Sequence, residues 1–318
     1  MAKKSIFIGL MLFLFGCFFG WLISTRFETT LTPTQEVRSG GYTYINPLLE
    51  CEVDGGLEDK DLHSFKSVIE EITNEAVSEK NVSEVSVYYR DLNNGPWFGI
   101  QEDSLFAPQS LLKVPVLIAY LHKAETNPGL LQDKITFLET DKDKSTPNIE
   151  DRLLVGSEYL VDELLNRMIE KSDNDAFYLL LTHIGSQEIN NVHAALELQT
   201  ISDNTPEDFV SVKAYASLFR ILYNASYLNR DMSEYALEIL SHTTYEKGLT
   251  NLLPKDIVVA HKFGVKALTD TSNDRLHDCG IIYKKDAPYL LCVMTKGEDL
   301  ASMEKVIQNI SLAVFEKK

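Results

Sequence analysis

The apolar positions of this chain repeat with two periods, which mark helices and strands. Spacing of three and four residues predicts amphipathic helices over residues 62–76 and 160–171. The same spacing predicts further helices over 176–184, 186–198, 211–223, 232–242 and 299–315. Short runs rich in Val, Ile and Tyr predict strands over 85–89, 97–100, 258–262, 279–283 and 289–295.

Strands are predicted near both ends of the folded part of the chain, with helices between them. The turn residues 93–96 (NNGP) separate the first two strands, which indicates a hairpin. We expect one α+β domain, because the C-terminal strands can join this hairpin in a single sheet.

A separate apolar stretch, residues 5–25, precedes the folded part and contains no charged residue. As a helix it has the length of a bilayer core, and Lys3 and Lys4 place its N-terminus in the cytoplasm. We expect a single-pass membrane anchor over residues 1–26, an extracytoplasmic linker over 27–58 and a folded domain over 59–318. A cleaved signal peptide, giving a secreted protein, and a lipoprotein attached through Cys17 are the alternatives. Residues 42–49 are apolar enough to dock on the domain.

Composition narrows the classes of partner that this chain can bind. The net charge of −17 argues against nucleic acid, because no basic stripe offsets it. The seven histidines lack metal-ligand spacing, so we expect no metal and no cofactor.

Several other polar residues leave alternatives open. Asp141 and Asp143 lie in a polar stretch and are expected to be solvated. His261 either lines a cleft or packs on its strand. Cys279 and Cys292 either form a disulfide across a hairpin or pack as small buried hydrophobes.

The stretch 104–122 (SLFAPQSLLKVPVLIAYLH) is apolar on every side and contains one formal charge, Lys113. This pattern predicts a buried helix, in which an ammonium is costly unless it is paired or loses its proton. Ser110 lies three residues earlier, on the same helix face. An amine beside a hydroxyl can activate a serine nucleophile. The alternative is a lysine that extends from a core helix to solvent.

Two further motifs follow Ser110 and Lys113 in order: SDN at residues 172–174, after a predicted helix, and KFG at 262–264, on a predicted strand. Each motif by itself is weak evidence for a function. With the flanking stretches FAPQSLLKVPVL (106–117) and LLNRMI (164–169), the set resembles the penicillin-recognising serine hydrolases, most closely the class A β-lactamases. The resemblance covers about residues 60–318.

The resemblance implies a β-lactamase/transpeptidase-like fold, with an antiparallel sheet, flanking helices and an all-helical lobe. It implies that Ser110 is the acylating nucleophile and Lys113 its base or proton relay. Ser172 would pass the proton to the leaving nitrogen, and Asn174 would hold the side-chain amide of the substrate. Lys262 would attract a substrate carboxylate and help to keep Lys113 neutral.

The same resemblance implies an oxyanion hole made by the backbone N–H groups of Ser110 and Val265. It places Phe263 and Gly264 in the substrate site, but Phe263 stands where the family has a threonine. A hydroxyl that would bond a substrate carboxylate is therefore absent.

A second departure concerns release of the acyl group. The family's E-x-x-L-N pattern, whose glutamate activates the deacylating water, does not follow residue 198, and the loop is shorter. Glu207 or Asp208 could replace that glutamate, but we expect them to be first-turn charges of the next helix. Deacylation is then expected to be slow.

These motifs favour a membrane-anchored extracytoplasmic serine hydrolase that attacks a β-lactam or a related amide through an acyl-enzyme on Ser110. One alternative is a D-Ala-D-Ala-type peptidase or transpeptidase acting on peptidoglycan stem peptides. Another is a non-catalytic domain that binds cell-wall peptides or β-lactams. Ser110 and Lys113 together favour an enzyme, because binding alone does not require a serine–lysine pair.

Overall fold

The computed structural model describes residues 37–50, 60–79, 82–93, 95–143, 152–266 and 274–318, and the isolated position 15. The predicted membrane anchor, Cys17 and Cys51 lie outside these residues. Within the described ranges, no helix combines the length and the apolar character that a membrane span requires.

The strands, in chain order, are β1 (Val37–Arg38), β2 (Leu48–Glu50), β3 (Val82–Asp91), β4 (Trp97–Ile100), β5 (Leu105–Phe106), β6 (Lys134–Thr136), β7 (Glu158–Leu160), β8 (Val210–Ser211), β9 (Val259–Lys266), β10 (Asp274–Ile282) and β11 (Tyr289–Gly297). Five of them form an antiparallel sheet in the order β4-β3-β11-β10-β9. The predicted union of the N-terminal hairpin with the C-terminal strands is confirmed, since β3 pairs with β11.

The helices are α1 (Lys60–Ser78), α2 (Lys113–Thr126), α3 (Val161–Glu170), α4 (Asn174–Ile184), α5 (Ser186–Ala195), α6 (Val212–Asn224), α7 (Arg230–Ser241) and α8 (Leu300–Lys317). Each predicted amphipathic helix is present. The largest boundary difference is at α5, which ends at Ala195 rather than at residue 198. The predicted α+β class is confirmed.

Two apolar cores lie on the two faces of the sheet, because successive strand residues point to opposite faces. Val87 of β3 and Val293 of β11 pack with the apolar faces of α1 and α8. Their neighbours Tyr88 and Cys292 belong to the second core, which the helices α2 to α7 share. Strands β10 and β11 are buried on both faces. They support β9, the strand that carries the KFG motif.

A disulfide joins Cys279 of β10 to Cys292 of β11. The two residues stand directly opposite each other in the strand register. Of the two interpretations that the sequence left open, the structure therefore supports the cross-strand bond.

Residues 37–50, which we call the N-terminal strap, pack against the helical part of the domain. Ile45 is buried in the second core. The backbone N–H groups of Thr43, Tyr44 and Ile45 donate to the carboxylate of Glu234 on α7, at 2.7–3.1 Å. The hydroxyl of Tyr283 donates to the carbonyl of Tyr44 at 2.9 Å. The docking predicted for residues 42–49 is confirmed.

This arrangement predicts that Glu234→Ala lowers the free energy of unfolding by about 2 kcal/mol, because three backbone N–H groups lose a charged acceptor. Urea denaturation of a fragment beginning at residue 36 measures the change. The matched control is Glu238→Ala, one helical turn further along α7 and exposed. Equal losses in the two variants would attribute the effect to the helix and contradict a role for the strap.

Candidate active site

Ser110 lies in a short 3₁₀ turn, Gln109–Leu112, that leads into α2 at Lys113. The predicted buried helix through Ser110 therefore begins with a 3₁₀ turn at Gln109, and it becomes an α-helix only at Lys113. Residues three apart eclipse one another in a 3₁₀ turn, which brings the two side chains together. The Nζ atom of Lys113 lies 3.2 Å from the Oγ atom of Ser110.

The chain before Ser110 is held by a buried histidine on β10. The Nε2–H group of His277 donates to the carbonyl of Ala107 at 3.0 Å, and its Nδ1 accepts from the backbone N–H of Thr295 at 3.2 Å. This pair of bonds requires the neutral tautomer with the proton on Nε2. Burial lowers the pKa of His277 to about 4, so the ring stays neutral at physiological pH.

Strand β9 runs beside the same turn, and a glycine makes the close approach possible. A Cβ on Gly264 would lie 3.0 Å from the carbonyl oxygen of Pro108. Val265 follows on the strand with its side chain 40% exposed. On the other side of the turn, the hydroxyl of Tyr215 donates to the carbonyl of Leu111 at 3.0 Å.

Lys113 is 1% exposed, which excludes the interpretation of a lysine that extends to solvent. Its Nζ lies 2.6 Å from the carbonyl oxygen of Ser172, 3.0 Å from the hydroxyl of Ser172 and 2.6 Å from Oδ1 of Asn174. Burial lowers the pKa of Lys113 to about 7, against the opposing effect of Asp173 and Asp143.

The neutral form of Lys113 fits these contacts well. A neutral amine has two N–H donors and one lone pair. The two closest atoms, the carbonyl oxygen of Ser172 and Oδ1 of Asn174, can only accept, and they take both donors. The lone pair is then left for the hydroxyl of Ser110 or of Ser172. The arrangement can remove a proton from Ser110.

Ser172 lies at the corner between α3 and α4, with a φ of 54°. A left-handed conformation is uncommon outside glycine and costs energy. Here Ser172 contacts Lys113 through both its carbonyl and its hydroxyl. The next residue, Asp173, caps α4 by accepting from the N–H of Ala176 and is held by Arg167 at 2.8 Å.

Asp143 belongs to this network, and the expectation that it is solvated surface is wrong. It is buried, and its carboxylate accepts from Nδ2 of Asn174 at 3.0 Å. The backbone of Asp143 is held by Asp175, which accepts from its N–H at 2.7 Å, and by Arg152, which donates to its carbonyl at 2.7 Å. No local pattern marks it, because its partners are distant in the sequence.

Lys262 on β9 is completely buried. Its Nζ donates to the carbonyl of Phe263 at 3.0 Å and lies 4.0 Å from the centroid of the Phe263 ring. Burial and the nearby Lys113 hold the pKa of Lys262 well below its ordinary value. The two amines share one dry pocket, so a charge on Lys113 disfavours a charge on Lys262.

His261, next to Lys262, packs on its strand. Its Nδ1 lies 2.8 Å from the buried carboxylate of Asp278, which also accepts from the N–H of Leu249. Among the residues that the structure describes, no group of histidine, cysteine and acidic side chains could hold a metal ion.

Glu207 and Asp208 are not first-turn charges of α6, which begins at Val212 and is capped by Ser211. That expectation is wrong. Instead they form ion pairs that tie the segment before α6 to the sheet. Glu207 pairs with Lys266 at 2.6 Å. Asp208 pairs with Arg275 at 3.4 Å and with Lys296 at 3.1 Å.

Comparison with known proteins agrees with this geometry. Residues 67–317 match the family model described as the β-lactamase enzyme family. The β-lactamase VEB-1 of Pseudomonas aeruginosa is 25% identical over 232 residues, which cover 67% of this chain and 78% of that protein. A β-lactamase of Proteus vulgaris is 28% identical over 218 residues, which cover 64% of this chain and 70% of that protein.

The fold is also that of solved structures. A β-lactamase from Chitinophaga pinensis superimposes with a TM-score of 0.70 at 22% identity, covering 80% of this chain and 98% of that one. A mutant of PBP-A in an acyl-enzyme complex with penicillin G superimposes with a TM-score of 0.68 at 21% identity, covering 79% of this chain and 96% of that one.

We predict that Lys113 titrates at about pH 7, far below the ordinary 10.5, because its ammonium is desolvated. NMR of protein with ¹³C at the lysine Cε measures this, and Lys113→Met identifies the resonance by removing it. Between these two pH values the unfolded chain binds more protons than the folded one. The free energy of unfolding should therefore rise with pH in this window, relative to Lys113→Met. A titration midpoint of Lys113 above pH 9 would contradict the exclusion of water from its amine.

We also predict that Asp143→Asn moves the midpoint of Lys113 to lower pH, because the Asp143 carboxylate favours the protonated amine. The asparagine can still accept the hydrogen bond from Asn174. The same NMR titration measures the shift, with Asp141→Asn in the same loop as the matched control. An upward shift, or equal shifts in both variants, would exclude Asp143 from the site.

Proposed function

This chain belongs to the β-lactamase enzyme family of serine hydrolases, and from this membership we propose that Ser110 takes the acyl group of a β-lactam or a related amide and that the acyl-enzyme is released slowly. The observation that carries the proposal is the 3.2 Å separation between Ser110 Oγ and the buried Nζ of Lys113. A desolvated amine with a pKa of about 7 is a competent base near neutral pH.

Acylation proceeds by transfer of the Ser110 hydroxyl proton to neutral Lys113 while Oγ bonds to the substrate carbonyl carbon. The carbonyl π pair moves to oxygen, facing the backbone N–H groups of Ser110 and Val265, which we assign as the oxyanion hole. The C–N bond then breaks. The proton passes from Lys113 through the hydroxyl of Ser172 to the leaving nitrogen, a path that the 3.0 Å contact between those groups supports.

Asn174 and Lys262 complete the proposed machinery. Asn174 accepts from Lys113 and donates to Asp143, which fixes its amide beside the nucleophile for contact with the substrate. We assign Lys262 to the same site, because it is buried in the pocket that holds Lys113. Gly264 lets β9 approach the turn of Ser110 closely enough for the substrate to bridge them.

The surroundings of Ser110 support the proposal of slow deacylation. Among the described residues, no carboxylate is hydrogen-bonded to its hydroxyl, whose partner is Lys113. Glu207 and Asp208 are committed to ion pairs with basic residues. Hydrolysis of the ester needs a base for the incoming water, and none of these carboxylates is free to act as one.

The setting that we propose is extracytoplasmic. The apolar segment 5–25 supports a single membrane anchor, and the acyl donor is then a small β-lactam or a related amide outside the cytoplasm. The disulfide between Cys279 and Cys292 supports an oxidising compartment.

Covalent labelling tests the function. A fragment beginning at residue 36 is expected to form an adduct with fluorescent penicillin, seen by intact mass, that persists over hours. Ser110→Ala abolishes the adduct, and Lys113→Met slows its formation at least about 100-fold, since general base catalysis is worth that much.

The fate of the adduct separates the candidate functions. A persistent adduct supports slow release, whereas rapid appearance of ring-opened product would contradict it. An adduct that forms equally in Ser110→Ala would contradict the assigned nucleophile. No adduct with any β-lactam would favour the non-catalytic binding domain.

A further inference from the structure

The amine of Lys262 is covered by the residue that follows it. Its side chain is 0% exposed, and its Nζ lies 4.0 Å from the centroid of the Phe263 ring. Its hydrogen-bond acceptor is the carbonyl of Phe263, at 3.0 Å. Because Lys262 is completely buried, a carboxylate could reach its Nζ only if the groups that cover it moved.

The Phe263 ring is held in place by a second ring. It stacks on Tyr245 with 4.1 Å between centroids and 14° between planes. Tyr245 in turn packs against the core between the sheet and α1 and α8. Moving Phe263 aside therefore breaks a near-parallel aromatic stack that is anchored in the core.

The group that a ligand meets at this end of β9 is apolar. Phe263 is half-buried, and Val265, two positions along, has an exposed side chain. A carboxylate placed here would lose water without gaining a charged partner.

The next cations on the sheet are already neutralised. Lys266, at the end of β9, pairs with Glu207. Lys296 of β11 pairs with Asp208 and also with Glu84. The segment before α6 thus supplies carboxylates to the cations that lie beyond Phe263.

We propose that the acyl donor of this enzyme carries no carboxylate on the part that lies along β9, and that it presents an uncharged apolar group to Phe263 and Val265. Neutral lactams, esters and amides form this class. This inference rests on the proposed acyl transfer to Ser110. The lowered pKa of Lys262 agrees with it, since the pocket itself disfavours the charge that a carboxylate would seek.

The test compares benzylpenicillin with its methyl ester, two compounds that differ in that carboxylate. Rate constants of acylation of Ser110 are measured by intact mass in the fragment from residue 36. Each is divided by the rate constant of hydroxide-catalysed ring opening of the same compound, which removes the difference in intrinsic reactivity. We expect the corrected ratio of ester to acid to be at least tenfold.

Two variants locate the effect. Phe263→Thr uncovers Lys262 and should lower the ratio at least tenfold, whereas Phe263→Tyr keeps the ring and should leave the ratio unchanged. The result with the unaltered protein decides the inference by itself, even if Phe263→Thr does not fold.

The outcomes separate this inference from the proposed function. Adducts that form on Ser110 with a ratio near or below one would overturn the inference and leave the acyl transfer intact. A high ratio that Phe263→Thr does not change, in a folded variant, would also overturn it. Failure of both compounds to acylate Ser110 would overturn the proposed acyl transfer, and this inference with it.

Discussion

The exclusion of water from one amine governs the chemistry of this protein. A lysine in solvent is charged at neutral pH and cannot accept a proton. The pKa of Lys113 is lower because its side chain is buried between α2 and the corner that carries Ser172. This desolvation lowers the pKa of the amine, which supports its proposed role as the base that acts on Ser110. Among the described residues, the hydroxyl of Ser110 is hydrogen-bonded to Lys113 and to no carboxylate.

The enclosure has to be stiff, because a loose pocket would admit water. Its walls come from distant parts of the chain. His277 of β10 fixes the chain before Ser110, and Tyr215 of α6 fixes the carbonyl of Leu111 just after it. Strand β10 is buried on both faces and joined to β11 by a disulfide. The side chains that we propose for catalysis thus lie between the doubly covered sheet and the helices packed against it.

The sequence was sufficient for the order of the helices and of the five strands of the central sheet, which have a clear apolar period. It did not predict the strands of two or three residues, β1, β2, β5, β6, β7 and β8, which are too short to show a period. It also predicted that Ser110, Lys113 and Ser172 share a site, and the fold brings these side chains together. It failed where a side chain depends on distant partners. Asp143 looks like a surface acid in its own loop, but it is buried and contacts Asn174, Asp175 and Arg152. The cover over Lys262 depends in the same way on Tyr245, which no local pattern connects to that strand.

The pairing of β3 with β11 has a consequence for how the chain acquires its structure. Val82 pairs with Gly297, so nearly the whole chain must emerge before the sheet can close. The ribosome synthesises the chain from its N-terminus. The hairpin of β3 and β4 is therefore made first, and the other edge of β3 stays unpaired until β11 is made. Such long-range contacts slow folding and expose strands to aggregation. The edge of β3 thus stays unpaired until the last strand has been synthesised, and during that time the sheet is most open to aggregation.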